Sequence, residues 1–369
     1  MNDPGELIAA IPAMLGFTPE RSLVVLMLRP VPDPVDKSVI EAVARFDLDD
    51  NTGPITAATV MASIAQLCAG LAAVRVLVVI VDDRLREPDT HRGRLHTRPR
   101  RFDGLASALA RGVEGRALEF GGAWAVPGFA AGLPWWSVSG PDHHGQVSDP
   151  AASMVATAHV LDGRPTHTSR AELAALVAPD PVLAAEVAAQ LDSALAVARD
   201  RYASAVRRGD PAGYSRTAIE QVLWQIANTE SGEQLDAPEI AELIAALRDR
   251  PVRDAMFALA LSEHALAAEG LWLALARAGS GSDRAEAAAL LGYSAYARGD
   301  GVFAGIASAA ALAADPAHPM ATLLETALSI GLRPDRLRAL ARHGADTARA
   351  LGIDLDPPDR NQPHNTDQQ

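Results

Sequence analysis

The acidic doublet Asp82-Asp83 stands directly after the most β-branched run of the chain, residues 76–81. Paired carboxylates at a strand end can hold a divalent cation or accept a proton from a substrate. Ligands of open α/β sheets lie beyond the carboxyl ends of strands. The segment 84–101 follows at once. It holds seven arginines, Arg84 and Arg92 among them, against Glu87 and Asp89, a net of +5 in a chain whose formal charge is −13. Guanidinium groups bind phosphates and carboxylates through paired hydrogen bonds. Asp142-His143-His144-Gly145, with Asp149 downstream, adds imidazoles and carboxylates. Adjacent histidines point apart on an extended chain, so one alone would join a given metal site. No HExxH, paired CxxC or H-x-E…PCxxC pattern completes such a site, and no metal is assigned. Trp135-Trp136 places one indole on each side of a strand, where an exposed one would anchor a ligand or partner.

Each of these has a plainer reading. Carboxylates at a strand end solvate a turn. An arginine-rich insertion balances an acidic surface. The histidines form a polar turn leading to a helix capped by Ser148 or Asp149. Both tryptophans are covered by neighbouring helices. A composite site requires the doublet, the arginines and the imidazoles to share one rim of a sheet.

These residues need a scaffold. At 369 residues with 49% apolar content, the chain has material for about two domains. Aromatics are only 4%, so Ala, Leu, Val and Ile build the core. One cysteine, Cys68, excludes a disulfide scaffold and reads as a small buried apolar residue. Only Lys37 is lysine among 33 basic residues. That bias, with the abundance of alanine, reflects GC-rich codons rather than a function. A net-acidic chain is a poor general binder of nucleic acid or anionic membrane, and the arginine segment lacks the interleaved aromatics of a single-strand platform. The amino terminus lacks the basic region of a secretory signal, and the strongest apolar runs are six residues, so a cytoplasmic location is expected. No GxGxxG after a strand, no GxxxxGK[ST] and no GxSxG is present, so neither nucleotide loop nor nucleophile elbow is supported.

Prolines number 16 in residues 1–181 and six in 182–350. Proline is excluded from helix interiors, so a mixed, loop-rich half precedes a helical one. Asp3, Pro4 and Glu6 open a first helix that Gly16 ends. The run 22–28 reads as a buried strand, 41–48 as a second, 54–74 as a helix and 75–83 as the clearest strand. Strand, helix, strand points to a parallel crossover. A helix at 102–111 and weaker strands at 116–120, 123–127 and 135–139 follow. Beyond Asp149 the helical period dominates, as in Ile219, Val222, Leu223, Ile226 and in Ile240, Leu243, Ile244, Leu247. A long helix runs from about 181 to 207, and 255–277 is apolar almost all round. Leu291, Gly292, Gly299, Ala304, Ala311 and Pro316 fit one tetratricopeptide-like unit without a second copy, so one helical hairpin is expected. The predicted organisation is an α/β domain at 1–148 with a mixed, largely parallel sheet and crossover helices. An all-α bundle at 149–352 with one tetratricopeptide-like hairpin follows, then a disordered tail at 353–369.

Two segments carry a family resemblance. The stretch from Pro4 to Leu26, containing Pro12-Ala13-Met14-Leu15-Gly16-Phe17-Thr18-Pro19-Glu20-Arg21-Ser22, resembles the opening of the actinobacterial domain-of-unknown-function family 4192. Arg298-Gly299-Asp300-Gly301, Ala304, Ala311-Leu312-Ala313-Ala314-Asp315-Pro316, Leu323-Leu324 and Gly331-Leu332-Arg333-Pro334 resemble its closing helical pair. Trp135-Trp136-Ser137 and Ser169-Arg170-Ala171-Glu172-Leu173 are similar to its internal landmarks. The resemblance brings no activity or cofactor. It implies a cysteine-containing segment where this chain has Asp142-His143-His144-Gly145, so a thiol-dependent role does not carry over.

Two functions follow as expectations. The first is a protein-interaction or scaffold module, with a partner bound by the helical domain near the 286–334 hairpin. The second is a small-molecule or anionic-ligand binder or enzyme. Its site lies at the carboxyl edge of the sheet, using Asp82, Asp83, Arg84, Arg92 and one of His143 or His144, with Trp135 or Trp136 as an anchor.

Overall fold

The computed structural model describes residues 3–31, 38–48, 56–86, 102–116, 118–139, 142–161, 163–232 and 234–355. The chain divides into two compact units, Met1–Leu173 with Ser329–Leu332, and Ala174–Leu328 with Arg333–Gln369. Residues 149–173 belong to the first. From residue 356 onward the expected tail lies outside the described residues, as does 87–101 of the arginine segment.

The first unit opens with α1 (Pro4–Leu15). The Asp3 carboxylate accepts the Gly5 N–H at 3.0 Å, and Gly16 ends the helix in the left-handed region at φ 74°. Strand β1 (Ser22–Pro30) pairs antiparallel with β2 (Ser38–Asp47), with a bulge between Met27 and Leu28. Helix α2 (Ala57–Leu71), capped by Thr56, leads to β3 (Arg75–Val81), which pairs antiparallel with the other side of β1. Helix α3 (Asp103–Glu114) connects β3 to β4 (Glu119–Val126), its parallel neighbour. β5 (Pro134–Ser139) and β6 (His144–Gln146) complete the sheet by antiparallel pairing, in the order β2-β1-β3-β4-β5-β6.

The sheet is therefore mixed, but the expectation of a largely parallel one is overturned. Of its five strand pairs only β3–β4 is parallel. The crossover inference fails at one point. Helix α2 joins β2 and β3, which do run the same way, but β1 already lies between them. The links between β4, β5 and β6 are also shorter than the dozen or more residues a parallel crossover needs. The two weak strands foreseen at 116–120 and 123–127 are one strand. Gly121 is an extra residue in its ladder, between the pairs Val76–Phe120 and Leu77–Gly122. A Cβ on Gly121 would lie 2.5 Å from Leu77 Cδ2, so glycine makes the bulge possible.

Both sheet faces are covered, which explains the uninterrupted apolar runs in β1 and β3. Leu23, Val25 and Met27 of β1 and Val76, Val78 and Ile80 of β3 share a core with Val60, Ile64 and Cys68 of α2 and Leu109 of α3. The alternate residues Val24, Leu26, Val79 and Val81 are buried on the other face. After β6, Asp149 caps a 3-10 turn (Pro150–Ala152), as the plainer reading of that region anticipated. Helices α4 (Met154–Leu161) and α5 (Arg170–Ala175) follow.

The second unit is helical. It contains α6 (Pro181–Arg207), α7 (Pro211–Glu230), α8 (Ala237–Leu247), α9 (Arg250–Met256), α10 (Ala265–Ala278), α11 (Gly281–Arg298), α12 (Gly301–Ala314), α13 (Pro319–Ser329) and α14 (Arg338–Ala350). The apolar stretch 255–277 is not one helix. A 3-10 turn, Phe257–Leu261, separates α9 from α10, and Trp272 of α10 is fully buried. Helices α11 and α12 form an antiparallel hairpin. Gly299 turns the chain at φ 92° and Asp300 caps α12 through the Phe303 N–H.

Candidate functional site

Three strand ends and one strand start meet at one rim of the sheet. Ser22 of β1 lies opposite Asp47 of β2 and Val81 of β3, and Val81 lies opposite Val126 of β4. The acidic doublet Asp82-Asp83 stands here, and its two carboxylates have different surroundings. Asp82 is buried. Its oxygens accept Nε and Nη2 of Arg84 at 2.8 Å each, and Oδ1 also takes the Arg84 backbone N–H at 3.0 Å. That pattern closes the turn after β3. Asp83 is exposed and accepts Arg21 Nε at 2.9 Å. Hydrogen bonding from Arg21, with its charge, holds the Asp83 carboxyl below the usual carboxylate range.

The other charges at the rim are also mutually engaged. Ser22 Oγ donates to the Glu20 carbonyl at 2.6 Å and accepts Arg45 Nε at 2.8 Å. The Arg45 guanidinium pairs with Asp47 and lies 5.8 Å from the centroid of the Phe17 ring, a cation–π contact. Arg86 donates to the carbonyls of Asp83 and Leu85. The rim therefore gathers Arg21, Arg45, Arg84 and Arg86, each with an oxygen acceptor of its own. Arg92 lies outside the described residues.

The remaining sequence candidates sit elsewhere on the sheet. His144 lies in β6 opposite Trp136, three strands from β3, which is a lateral offset of about 14 Å at the usual strand spacing. His143 precedes it, with its N–H on Ser137 Oγ at 3.0 Å. Both histidines are exposed. Trp135 and Trp136 are both buried. Trp135 Nε1 donates to the Gln146 carbonyl at 3.2 Å, and a Cβ on Gly145 would sit 2.8 Å from its ring. The sheet thus brings Asp82, Asp83 and Arg84 together and leaves the imidazoles on its far edge. Among the described residues, no group of three or more His, Cys, Asp or Glu is placed to hold a metal ion. Burial pushes the Cys68 thiol up to about 11, which keeps it protonated and unreactive at neutral pH.

A second site, which the sequence analysis did not single out, lies in the helical unit. A cleft of about 220 Å³ opens between α6, α7 and α8. Its apolar wall is Ala194, Ala198 and Ala205 of α6, Ala218 of α7, and Ala245 and Ala246 of α8. Arg201, Arg208, Tyr214, Gln221 and Glu242 supply polar groups. Positions 194, 198, 201 and 205 form one stripe of α6, and Arg208, its C-cap, continues that stripe. Larger side chains at the alanines would fill this seam. The only sequence trace of the cleft is alanine where leucine would close a three-helix contact, and alanine throughout the chain masks it.

Helix α6 has another property. Among the described residues it alone is long and apolar enough to cross a membrane by length and composition, with a mean hydropathy of 1.3 over 18 residues. It packs on α8, α7 and α10 through Val187, Ala194 and Ala205, while Val182 and Val206 are 68% and 47% exposed.

A family model described as Domain of unknown function (DUF4192) matches residues 4–335. No curated protein and no solved structure matches the chain.

Proposed function

The chain belongs to this family of unknown function, which supplies no activity, and from that premise we propose that it is a cytoplasmic protein-interaction module. Its recognition surface is the outer face of α6. The observation that carries this reading is the mismatch between composition and burial. An 18-residue window with mean hydropathy 1.3 is only 6% buried. Exposed apolar surface gains roughly 25 cal/mol per Å² when another apolar surface covers it. Val182, Ala185, Ala188, Ala189 and Val206 lie exposed on α6. Small side chains let a second helix approach closely, so the partner surface that fits is a helix with its own apolar stripe. The hairpin of α11 and α12 is a poorer surface, because α11 buries twelve of its 18 residues.

The rim of the sheet does not carry the function in this reading, since among the described residues its guanidinium groups are engaged by oxygens of the same rim. The test is a photo-crosslinking residue placed at Ala189 or at Val206, with Glu220 on exposed α7 surface as the control. The expected result is one discrete protein adduct from the first two positions and none from the control. The reading fails if all three positions give the same smear, or if the protein floats with lipid vesicles and the label goes to lipid.

A further inference from the structure

We propose that the cleft between α6, α7 and α8 is a binding site for a small organic carboxylate, with its anionic head on Arg201 and Arg208 and its apolar body against the alanine wall. This site is distinct from the outer face of α6.

Shape is the first argument. Six alanines from three helices line the space, and the long side chains of Arg201, Gln221 and Glu242 border it. A dry cavity of about 150 Å³ accepts benzene. The 220 Å³ here therefore admits a six-membered ring or a branched aliphatic group together with a carboxylate.

Charge is the second. Arg201 approaches the Glu242 carboxylate only to 4.0 Å, and Gln221 Nε2 already holds that carboxylate at 2.9 Å. Arg208 Nη1 has Ser204 Oγ at 3.4 Å. Neither contact is the paired, short arrangement that guanidinium groups make with carboxylates. The two arginines are seven residues apart, about two helical turns, Arg201 in α6 and Arg208 at its C-cap, with Ser204 and Ala205 between them. A carboxylate seated over that interval is within reach of both long side chains. Glu242 stands on α8, at the far wall of the cleft.

The third is the half-buried Tyr214. Burial and the nearby Asp249 charge both raise its phenol, so the hydroxyl stays protonated and offers a hydrogen bond at neutral pH. Its ring also packs edge-on against Tyr202, at 5.7 Å between centroids, which fixes that wall of the cleft.

The experiment uses the full chain and three probes of one shape, benzoate, benzyl alcohol and benzylamine, followed by ligand-observed NMR and calorimetry. Benzoate is expected to bind, with at least tenfold weaker binding for each of the other two. Arg208→Gln and Arg201→Gln should each weaken benzoate at least fivefold. Ala198→Leu, which fills the cleft from a half-buried position, should abolish binding while the circular dichroism spectrum stays unchanged. The surface variant Arg342→Gln on α14 should bind as the unaltered chain does. Equal binding of the three probes, a preference for benzylamine, no binding of benzoate, or undiminished binding in both Ala198→Leu and Arg208→Gln overturns the proposal. If Ala198→Leu does not fold, the two arginine variants decide it.

Discussion

The carboxyl rim of the sheet and the cleft of the helical unit are built from the same side chains and reach opposite states. At the rim, Arg84 closes on buried Asp82 with two contacts of 2.8 Å, and Arg21 closes on Asp83 at 2.9 Å. In the cleft, Arg201 stands 4.0 Å from the nearest oxygen of Glu242. Among the described residues of the rim, Arg21, Arg45 and Arg84 are each paired with a carboxylate, and Arg86 is held by backbone carbonyls. The cleft has fewer charged groups, but they are loosely held and border an open volume. A cluster of arginines in a sequence therefore does not mark a ligand site by itself. Whether neighbouring carboxylates complete the guanidinium geometry decides it.

The contrast can be broken at its strongest point first. Asp82→Ala removes both partners of the Arg84 fork inside a buried turn and is expected to lower stability by about 2 kcal/mol. Asp83→Ala, one residue on but fully exposed, should leave the urea midpoint unchanged. Equal losses in equilibrium denaturation would erase the distinction between the two carboxylates.

Alkaline pH tests the apolar interior of both units. Cys68 is pushed to about 11, and Tyr293 to about 12 by burial. These groups keep their protons in the folded chain while the unfolded chain gives them up. Their effect on stability is nil below the unfolded pKa, and for Cys68 stability falls as pH rises from about 9 toward 11. For Cys68 the loss at pH 10 is about 1.4 kcal/mol. Denaturation across that range should be visibly flatter for Cys68→Ala.

The cleft gives the smaller stability effects. Arg201→Gln and Arg208→Gln should each change unfolding free energy by less than about 0.5 kcal/mol, as exposed charges outside closed networks do. A loss like that of Asp82→Ala would mean that the cleft arginines are structural after all. The smallest change is a titration. In Arg21→Gln the Asp83 carboxyl should return upward to the ordinary aspartate range, read by carbon-13 NMR. No movement would show that Arg21 does not set its value.

Local chemistry made much of this fold readable. Asp3, Pro4 and Gly16 marked both ends of α1 because caps and left-handed glycines act over a few residues. The β-branched run at 76–81 marked β3. Strand order was harder to read, because crossover helices report direction but not adjacency, and β1 slipped between β2 and β3. Gly121-Gly122 suggested a break where the strand only bulges. The three residues of β6 carry no periodic signal at all. Asp82, Asp83 and Arg84 were legible as one group because they are consecutive. His143 and His144 could not be placed relative to them without knowing that two strands, β4 and β5, intervene. The cleft was hidden for a different reason. Its defining feature is missing side-chain volume at alanines spread over 194–246, in a sequence where alanine is everywhere.

Strand β2 has one further consequence. It is ten residues long, pairs with β1 on one side, and among the described residues has no strand on the other. Such a flank can seed filaments by adding chain upon chain. Glu41, bonded to Arg29, and Arg45, bonded to Asp47, set charges along it, and the bulge between Met27 and Leu28 bends its ladder. Neutralising those side chains is expected to promote filament formation in concentrated solution, read by light scattering and thioflavin fluorescence.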